Sequence, residues 1–380
     1  MDKLPTDLIL VIFSKLPLKT LLGLNRVCKS WSRIIDGRDL AKLHLNGGVE
    51  QPRILHLVPK PDFATCKPYK SWVQDGSIME ICSSIFAGIK RQPTAYVLES
   101  SCNGILCFKK RNFGLHGTAY LLNPFKQEAL ELPALNFLRE PGLMASYGLG
   151  FDGTTSRYKI VCIVTRLCKI PDKAQACFNY TTSMVYTLGE SSSWRALSNH
   201  LRCPVYGKSV FASGILYWVG LTKHMDGNYL EHNDEFNKIK KIVAFDVAKE
   251  EFRLRSCPGP FRIFHLVDLK GVLGVVDCSS RSHLEIWTLR DYERENWVKE
   301  YRIEIRAPNL MHCTHNGIEV IGLWKEGELL LRHSHCFVSY NPKNDKLEYI
   351  RIPCGNPDTD LCSFTGSLVS LSAFQADRAK

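Results

Sequence analysis

The sequence predicts an α+β chain by domain: a small N-terminal three-helix module followed by a mainly-β domain, arranged as a β-propeller of about six or seven blades. Helix-spaced apolar residues are confined to the stretch before about residue 45. Beyond about residue 50, short β-branched and aromatic runs alternate with Gly, Asn-Pro and Asp punctuation. A two-strand unit recurs through that second part, with turn centres about 40–65 residues apart, near the blade period of propellers.

The helical part opens with LPTDLILVIFSKLP, Leu4 to Pro17. Pro5 suits the start of a helix, and Thr6 and Asp7 can serve its unpaired first-turn amides. Leu8, Ile12 and Leu16 follow at i, i+4 and i+8, Ile9 and Phe13 form a second stripe, and Leu10 and Val11 fill other directions. Pro17 helps end the helix. A helix apolar on most of its circumference must be covered on most of it. The next stretch, LKTLLGLNRVCKSWSRIIDGRDLAKLHL, has the same character, with Leu18, Leu21 and Leu22 clustered and Val27, Trp31, Ile34 and Ile35 at helical spacing. Fewer than about fifty residues cannot bury this much apolar surface alone. The module must therefore pack on the rest of the chain or dock on a partner.

The recurring β unit is two strands around a polar turn, the second strand carrying Trp, Tyr, Phe or Leu back toward the core. It reads YLLNPFKQEALELP (Tyr120 to Pro133), VYTLGESSSWRAL (Val185 to Leu197), VAFDVAKEEFRLRSCP (Val243 to Pro258), IWTLRDYERENWVKEYRI (Ile286 to Ile303) and VSYNPKNDKLEYIRI (Val338 to Ile352). Other strand pairs lie between, among them SVFASGILYWVG (Ser209 to Gly220), where Ser-Gly marks a compact hairpin. A pair of packed sandwiches is the rival architecture. Trp194, Trp218, Trp287, Trp297 and Trp324 fall in or beside strand signals and are expected in blade cores. Gly148 and Gly150 in YGLGFDG are expected as turn glycines, since no amphipathic helix follows to make a phosphate site.

The stretch from Leu4 to Ile35, with its LP start, second LP, leucine cluster and V-C-K-S-W from Val27 to Trp31, resembles an F-box. That module docks on the Skp adaptor of cullin–RING ubiquitin ligases. The resemblance implies that Leu4, Pro5, Leu8, Ile12, Leu16, Pro17, Val27 and Trp31 supply the adaptor surface. The pieces SCNGILCF, YLLNPFKQEALELP, YGLGFDGTTSRYKIVCI, VYTLGESSSWRAL, FASGILYWVG, IVAFDVAKEEFRL and VSYNPKNDKLEYIRI resemble, in order, the F-box-associated, kelch-like domain of plant F-box proteins. The implied organisation is an F-box over 1–45, a linker and first strands over 46–97, and a substrate-recruiting β domain over 98–375. The implied partners are a Skp-type adaptor, through it a cullin and a RING protein, and a target protein. Between the matching pieces lies HMDGNYLEHNDEFNK (His224 to Lys238), a long loop in which His224, Asp226, Asn228 and Tyr229 are candidate target contacts.

Composition bounds the alternatives. The chain has 380 residues, 45% hydrophobic and 23% charged, so it is neither disordered nor fibrous. Its net charge of +11 is scattered, with no aromatic-interleaved basic run, so an acidic patch on a target fits better than a nucleic acid. The 15 cysteines are odd in number and often sit inside apolar runs such as GILCF and KIVCIV. That usage suits a reducing compartment, cytoplasm or nucleus. The apolar run Leu8 to Phe13 is too short for a signal h-region, and no segment reaches the length of a membrane span. His312, Cys313 and His315, and His333, His335 and Cys336, have ligand chemistry but not the spacing of common zinc sites, so no metal or cofactor is expected. No G-x-S-x-G, P-loop or H-E-x-x-H motif is present. The reading is a non-catalytic substrate receptor. The alternative is an enzyme built on the propeller, with the helices as an oligomerisation arm.

Overall fold

The computed structural model describes residues 4–47, 53–58, 78–82, 96–110, 118–135, 143–169, 176–190, 193–198, 201, 203–222, 239–280, 282–305, 318–333, 336–350 and 360–376. Four short helices come first: α1 (Thr6–Ser14), α2 (Leu18–Leu24), α3 (Lys29–Ile35) and α4 (Arg38–Asn46). Three were expected. The last apolar stretch breaks because Gly37 takes the extended conformation of a helix N-cap and starts a separate α4. Pro5 precedes α1 as anticipated, and Pro17, expected to help end that helix, stands as the N-cap of α2. The Sγ of Cys28 accepts from the Trp31 amide at the start of α3, which gives the V-C-K-S-W run a local physical role. The Nε2 of buried His44 donates to the Leu16 carbonyl at 2.9 Å, tying α4 to the end of α1.

The β domain is a propeller. Five sheets are four-stranded antiparallel meanders. They are β3 (Tyr96–Cys102) to β4 (Ile105–Lys110), β5 (Ala119–Asn123) and β6 (Glu128–Glu131); then β7 (Leu143–Asp152), β8 (Arg157–Lys169), β9 (Ala176–Thr187) and β10 (Arg195–Ala196). The third is β11 (Val205–Ala212), β12 (Ile215–Thr222), β13 (Ile239–Asp246) and β14 (Glu251–Arg255). The fourth is β15 (Phe264–Asp268), β16 (Leu273–Asp277), β17 (His283–Asp291) and β18 (Asn296–Glu304), and the fifth is β19 (Ile318–Leu323), β20 (Leu329–His333), β21 (Cys336–Asn341) and β22 (Lys346–Ile350). A sixth, three-stranded sheet joins distant parts of the chain. In it β1 (Arg53–Val58) is central, parallel to β2 (Ile78–Cys82) and antiparallel to β23 (Asp360–Phe364). The first strands β3, β7, β11, β15 and β19 pack side by side around an axis, and β23 fills the last place between β19 and β3. Five full blades and a three-stranded closing sheet thus stand where six or seven blades were expected.

All five recurring units fall on the outer strand pair of a blade: β5–β6, β9–β10, β13–β14, β17–β18 and β21–β22. Four of the five turns, all but β9–β10, share a mechanism. Asn123, Asp246, Asp291 and Asn341 each end a strand and accept from backbone N–H groups two or three residues on. Four residues after each, Gln127, Glu250, Glu295 and Asp345 take positive φ. An Asx turn followed by a left-handed residue reverses the chain within a fixed length. Three inner hairpins turn instead on two positive-φ residues, Asn103-Gly104, Ser213-Gly214 and Lys270-Gly271, the geometry that suits strand twist, while the β7–β8 hairpin repeats the Asx turn, on Asp152 with Ser156 at positive φ. The SVFASGILYWVG hairpin turns where its Ser-Gly predicted.

Gly148 and Gly150 are not turn residues. They lie inside β7, where a Cβ on Gly148 would overlap the Trp218 ring and one on Gly150 would come within 2.6 Å of Val247. They let the second blade press directly on the third. Trp218 is fully buried there and Trp324 nearly so, as expected of blade cores; Trp194, Trp287 and Trp297 are half-buried. The largest core cluster unites Phe13, Leu18, Leu21, Ile35 and Leu40 of the helices with the first two blades and with Leu368, Val369 and Leu371. The cysteines whose side chains are described form no disulfide, and Cys102, Cys107, Cys162, Cys203 and Cys362 are buried as small hydrophobes.

Candidate docking surfaces

The helices do not bury all their apolar surface. Leu4, Leu8, Val11 and Ile12 line one side of α1 and stay about half exposed, Leu8 and Ile12 at 50% each. Pro5 and Pro17 are exposed beside them in sequence, and Val27, at the corner between α2 and α3, is 62% exposed. Leu43 of α4 is exposed too. The other side of α1 turns inward. Phe13 is buried and meets the Trp31 ring edge-on at 5.2 Å, and Leu16 packs half-buried on the same cluster. The expected adaptor residues therefore divide. Leu4, Pro5, Leu8, Ile12, Pro17 and Val27 face solvent, while Leu16 and Trp31 hold the helices together from beneath. Val11 and Leu43 were missed as surface residues because spacing alone gave them no direction.

This module is seated firmly on the propeller. Leu18 Cδ1 fits against the bare backbone of Gly366, and Phe125 packs there too. Lys126 pairs with Asp36 at 2.9 Å, and the Arg38 guanidinium lies 5.4 Å from the centre of the Phe374 ring. Residues 365–371 act as mortar between the two parts. The Asn123 side-chain amide, fully buried, donates to the carbonyls of Ser367 and Val369 at 3.1 and 2.6 Å. Glu128 accepts from the amides of Leu371 and Ser372 at the start of α5 (Ser372–Ala376).

The turns that meet the helices, β5–β6 and β7–β8, lie at the end of the propeller where the first strands finish. Ser213 of the β11–β12 turn bonds to Gly271 of the β15–β16 turn at that same end. The longer connections therefore leave from the opposite end, including the one between Thr222 and Ile239, which are paired across β12 and β13. His224, Asp226, Asn228 and Tyr229 lie outside the described residues, as do His312, Cys313, His315 and His335.

Around the axis the first strands carry paired polar groups. Glu99 accepts from the Tyr147 amide at 3.0 Å and pairs with Lys109 at 2.8 Å. Ser209 donates to Ser100 at 2.8 Å. Glu319 meets Lys208 at 3.8 Å and also pairs with Arg332. Burial alone would raise the Glu319 carboxyl, but Lys208, Arg332 and the neighbouring His265 outweigh it and hold it below the usual carboxylate range. His265 accepts from the Val320 amide at 3.0 Å, and burial lowers its pKa, as it does for His333. These contacts lock neighbouring blades together. Among the described residues no group of three His, Cys, Asp or Glu side chains is placed to hold a metal, and no helix is long and apolar enough to cross a membrane.

A propeller carrying a helical module with an uncovered apolar stripe has the architecture of a protein built to dock. Residues 1–42 match the F-box-like family, and residues 77–371 match the F-box associated beta propeller domain. The chain belongs to that family, and it is a plant F-box protein. Its relatives include the Arabidopsis thaliana F-box protein At3g07870, 26% identical over 92% of this chain and 87% of the relative. The Arabidopsis thaliana F-box/kelch-repeat protein At3g04660 is 23% identical over 90% of this chain and 85% of its own length. Among solved structures, the Pyrococcus horikoshii acylaminoacyl peptidase superposes with a TM-score of 0.38 at 11% identity, over 68% of this chain and 39% of that one, too loosely to bear on activity.

Proposed function

We propose that this protein is the substrate-recognition subunit of a Skp–cullin–F-box ubiquitin ligase. In this reading residues 1–45 bind a Skp-type adaptor, and through it a cullin and a RING protein. Residues 46–97 lead into the β domain, and residues 98–375 recruit a target for ubiquitination and degradation. The observation that carries it is the apolar stripe Leu4, Leu8, Val11 and Ile12, left in solvent while the opposite side of α1 packs on the other helices and into the core shared with the first blades. Leu4, Pro5, Leu8, Ile12, Pro17 and Val27 make the adaptor contact, and Leu16 and Trp31 support it from behind. The chain does no covalent chemistry in this scheme. It raises the local concentration of target lysines near the charged ubiquitin carrier.

The target sits at the propeller end away from the helices, where the connections are longest. His224, Asp226, Asn228 and Tyr229 contribute to its selection, and the net charge of +11 favours an acidic patch on it. The complex works in the cytoplasm, the nucleus or both. Co-purification with a Skp-type adaptor tests the reading. Wild type is expected to bind, and the double variant Leu8→Asp with Ile12→Asp is expected to fold normally and not bind. Failure of wild type, or undiminished binding by the variant, overturns it.

A further inference from the structure

Between Asp7 and Asp36 the chain carries no acidic residue, while its cations there are Lys15, Lys19, Arg26, Lys29 and Arg33. All of them are exposed, and none meets a carboxylate among the described residues. On the propeller, by contrast, the exposed cations Arg290, Arg302 and Lys346 pair with Glu300, Glu285 and Glu348. Lys15 caps α1 four residues after Val11 and three after Ile12, so it stands at the foot of the exposed apolar stripe. Lys19 lies in the first turn of α2 and Lys29 begins α3, with Arg33 one turn further on and Arg26 beside Val27 at the corner between. A helix N-terminus favours an acid in its first turn, and α2 and α3 have none. The lysines there work against the helix dipoles, so local stability does not account for them.

We propose, resting on the adaptor assignment made above, that this acid-free band meets carboxylates on the rim of the protein that covers the stripe. The partner face it fits has an apolar centre for Leu8, Val11 and Ile12 and an acidic edge for Lys15, Lys19, Arg26, Lys29 and Arg33. Cations that stay in solvent at a rim act on the encounter more than on the finished contact, so the band steers the adaptor into place. An anionic membrane is a poorer match for the same surface. Asp7 is exposed one helical turn before Val11, on the stripe side of α1, where lipid headgroups would repel it.

Association and dissociation rates of the full chain with a purified Skp-type adaptor test this. The association rate constant is expected to fall at least about tenfold between about 0.05 M and about 0.5 M NaCl. Lys19→Glu with Lys29→Glu should slow association about tenfold at the lower salt, change dissociation less than about threefold, and lose most of the salt dependence. Lys19→Arg with Lys29→Arg should stay within about twofold of wild type. So should Arg294→Glu with Lys343→Glu, the same change of charge on exposed outer turns of the fourth and fifth blades. A thermal melt shows whether each variant is folded; should the first not fold, Lys19→Gln with Lys29→Gln carries the comparison with a smaller effect. A rate indifferent to salt, or unchanged by the first variant, overturns the band while adaptor binding stands. Equal slowing by the Arg294 and Lys343 variant overturns it too, since net charge alone would then do the steering. Capture by phosphatidylserine vesicles that the first variant abolishes, with its adaptor association unchanged, assigns the band to a membrane instead. A wild type that takes up no adaptor at any salt overturns the adaptor assignment itself, and this band with it.

Discussion

Leu18 Cδ1 lies 2.5 Å from where a Cβ on Gly366 would stand, and Phe125 lies 3.2 Å from that point. The first turn of α2 is thus seated on backbone with no side chain between. Leu18 is fully buried and cannot swing aside, and Phe125 is half-buried beside it. Gly366→Ala is expected to cost about 1–3 kcal/mol by overpacking, and Leu18→Ala about 2–5 kcal/mol through the cavity it leaves. Chemical denaturation of the full chain reads both; unchanged midpoints would mean the helices do not rest there.

Val11 and Phe13 are two residues apart on α1 and predict opposite outcomes. Val11 is 54% exposed and Phe13 is buried. Val11→Asp should change stability by no more than about 0.5 kcal/mol while reducing capture of a Skp-type adaptor at least about tenfold, near 1.4 kcal/mol. Phe13→Ala should instead lower stability by about 3–5 kcal/mol. Pull-down and denaturation measured side by side separate the two effects.

Lys159 joins two blades. Its Nζ reaches Asp152 and Glu250 at 3.0 Å each and the Val247 carbonyl at 2.9 Å. Burial would raise the Asp152 carboxyl, but bonds from Thr154, Lys159 and Thr155 outweigh it and hold it well below the ordinary value. Glu250 is lowered likewise, burial being outweighed by Arg195 and Lys159. Lys159→Met leaves the buried Asp152 without its cation and Glu250 with Arg195 alone, and is expected to cost about 3–5 kcal/mol at pH 7. A depressed carboxyl stabilises above its unfolded pKa and loses that contribution as pH falls through its folded one. The gap between wild type and variant should therefore shrink below about pH 4. Burial lowers and the two carboxylates more strongly raise the Lys159 pKa, so its own contribution persists through neutrality and fades only at strongly alkaline pH. A gap that stays constant into acid would refute the pairing.

Leu55 sits mid-strand in β1, between β2 and β23, opposite Met79 on one side and Cys362 on the other. Whichever neighbour its amide faces, Leu55→Pro removes a donor from a central strand. A loss of about 3 kcal/mol or more is expected, with a broader melting transition as the ring opens at that sheet. A sharp, unshifted melt would mean that β1 does not close the ring.

The blades were legible in the sequence because four of the five outer hairpins carry their own local instruction, an Asn or Asp before the turn and a left-handed residue four positions later. The closing sheet carries none. Its strands come from residues 53–58, 78–82 and 360–364, and two of them run parallel, so no short-range signal marks it and the blade count came out high. Gly148 and Gly150 look like turn residues until Trp218 and Val247 of the neighbouring blade are in place, because the need for a bare backbone is set by a distant partner. On the helices, periodicity found the apolar stripes but could not tell solvent from core. Only Phe13 and Trp31 meeting inside, with Leu8, Val11 and Ile12 outside, assigns the directions.

The dovetail of residues 365–371 between helices and propeller also sets an order of events during synthesis. Phe13, Leu18, Leu21 and Leu40 leave the ribosome first, while Gly366, Leu368 and Val369, which complete their cover, come more than three hundred residues later. At about 5–20 residues per second the greasy helices wait tens of seconds in the nascent chain without their permanent shelter. Whatever accompanies the emerging chain through that interval must shield the very surfaces on which the finished protein is later assembled.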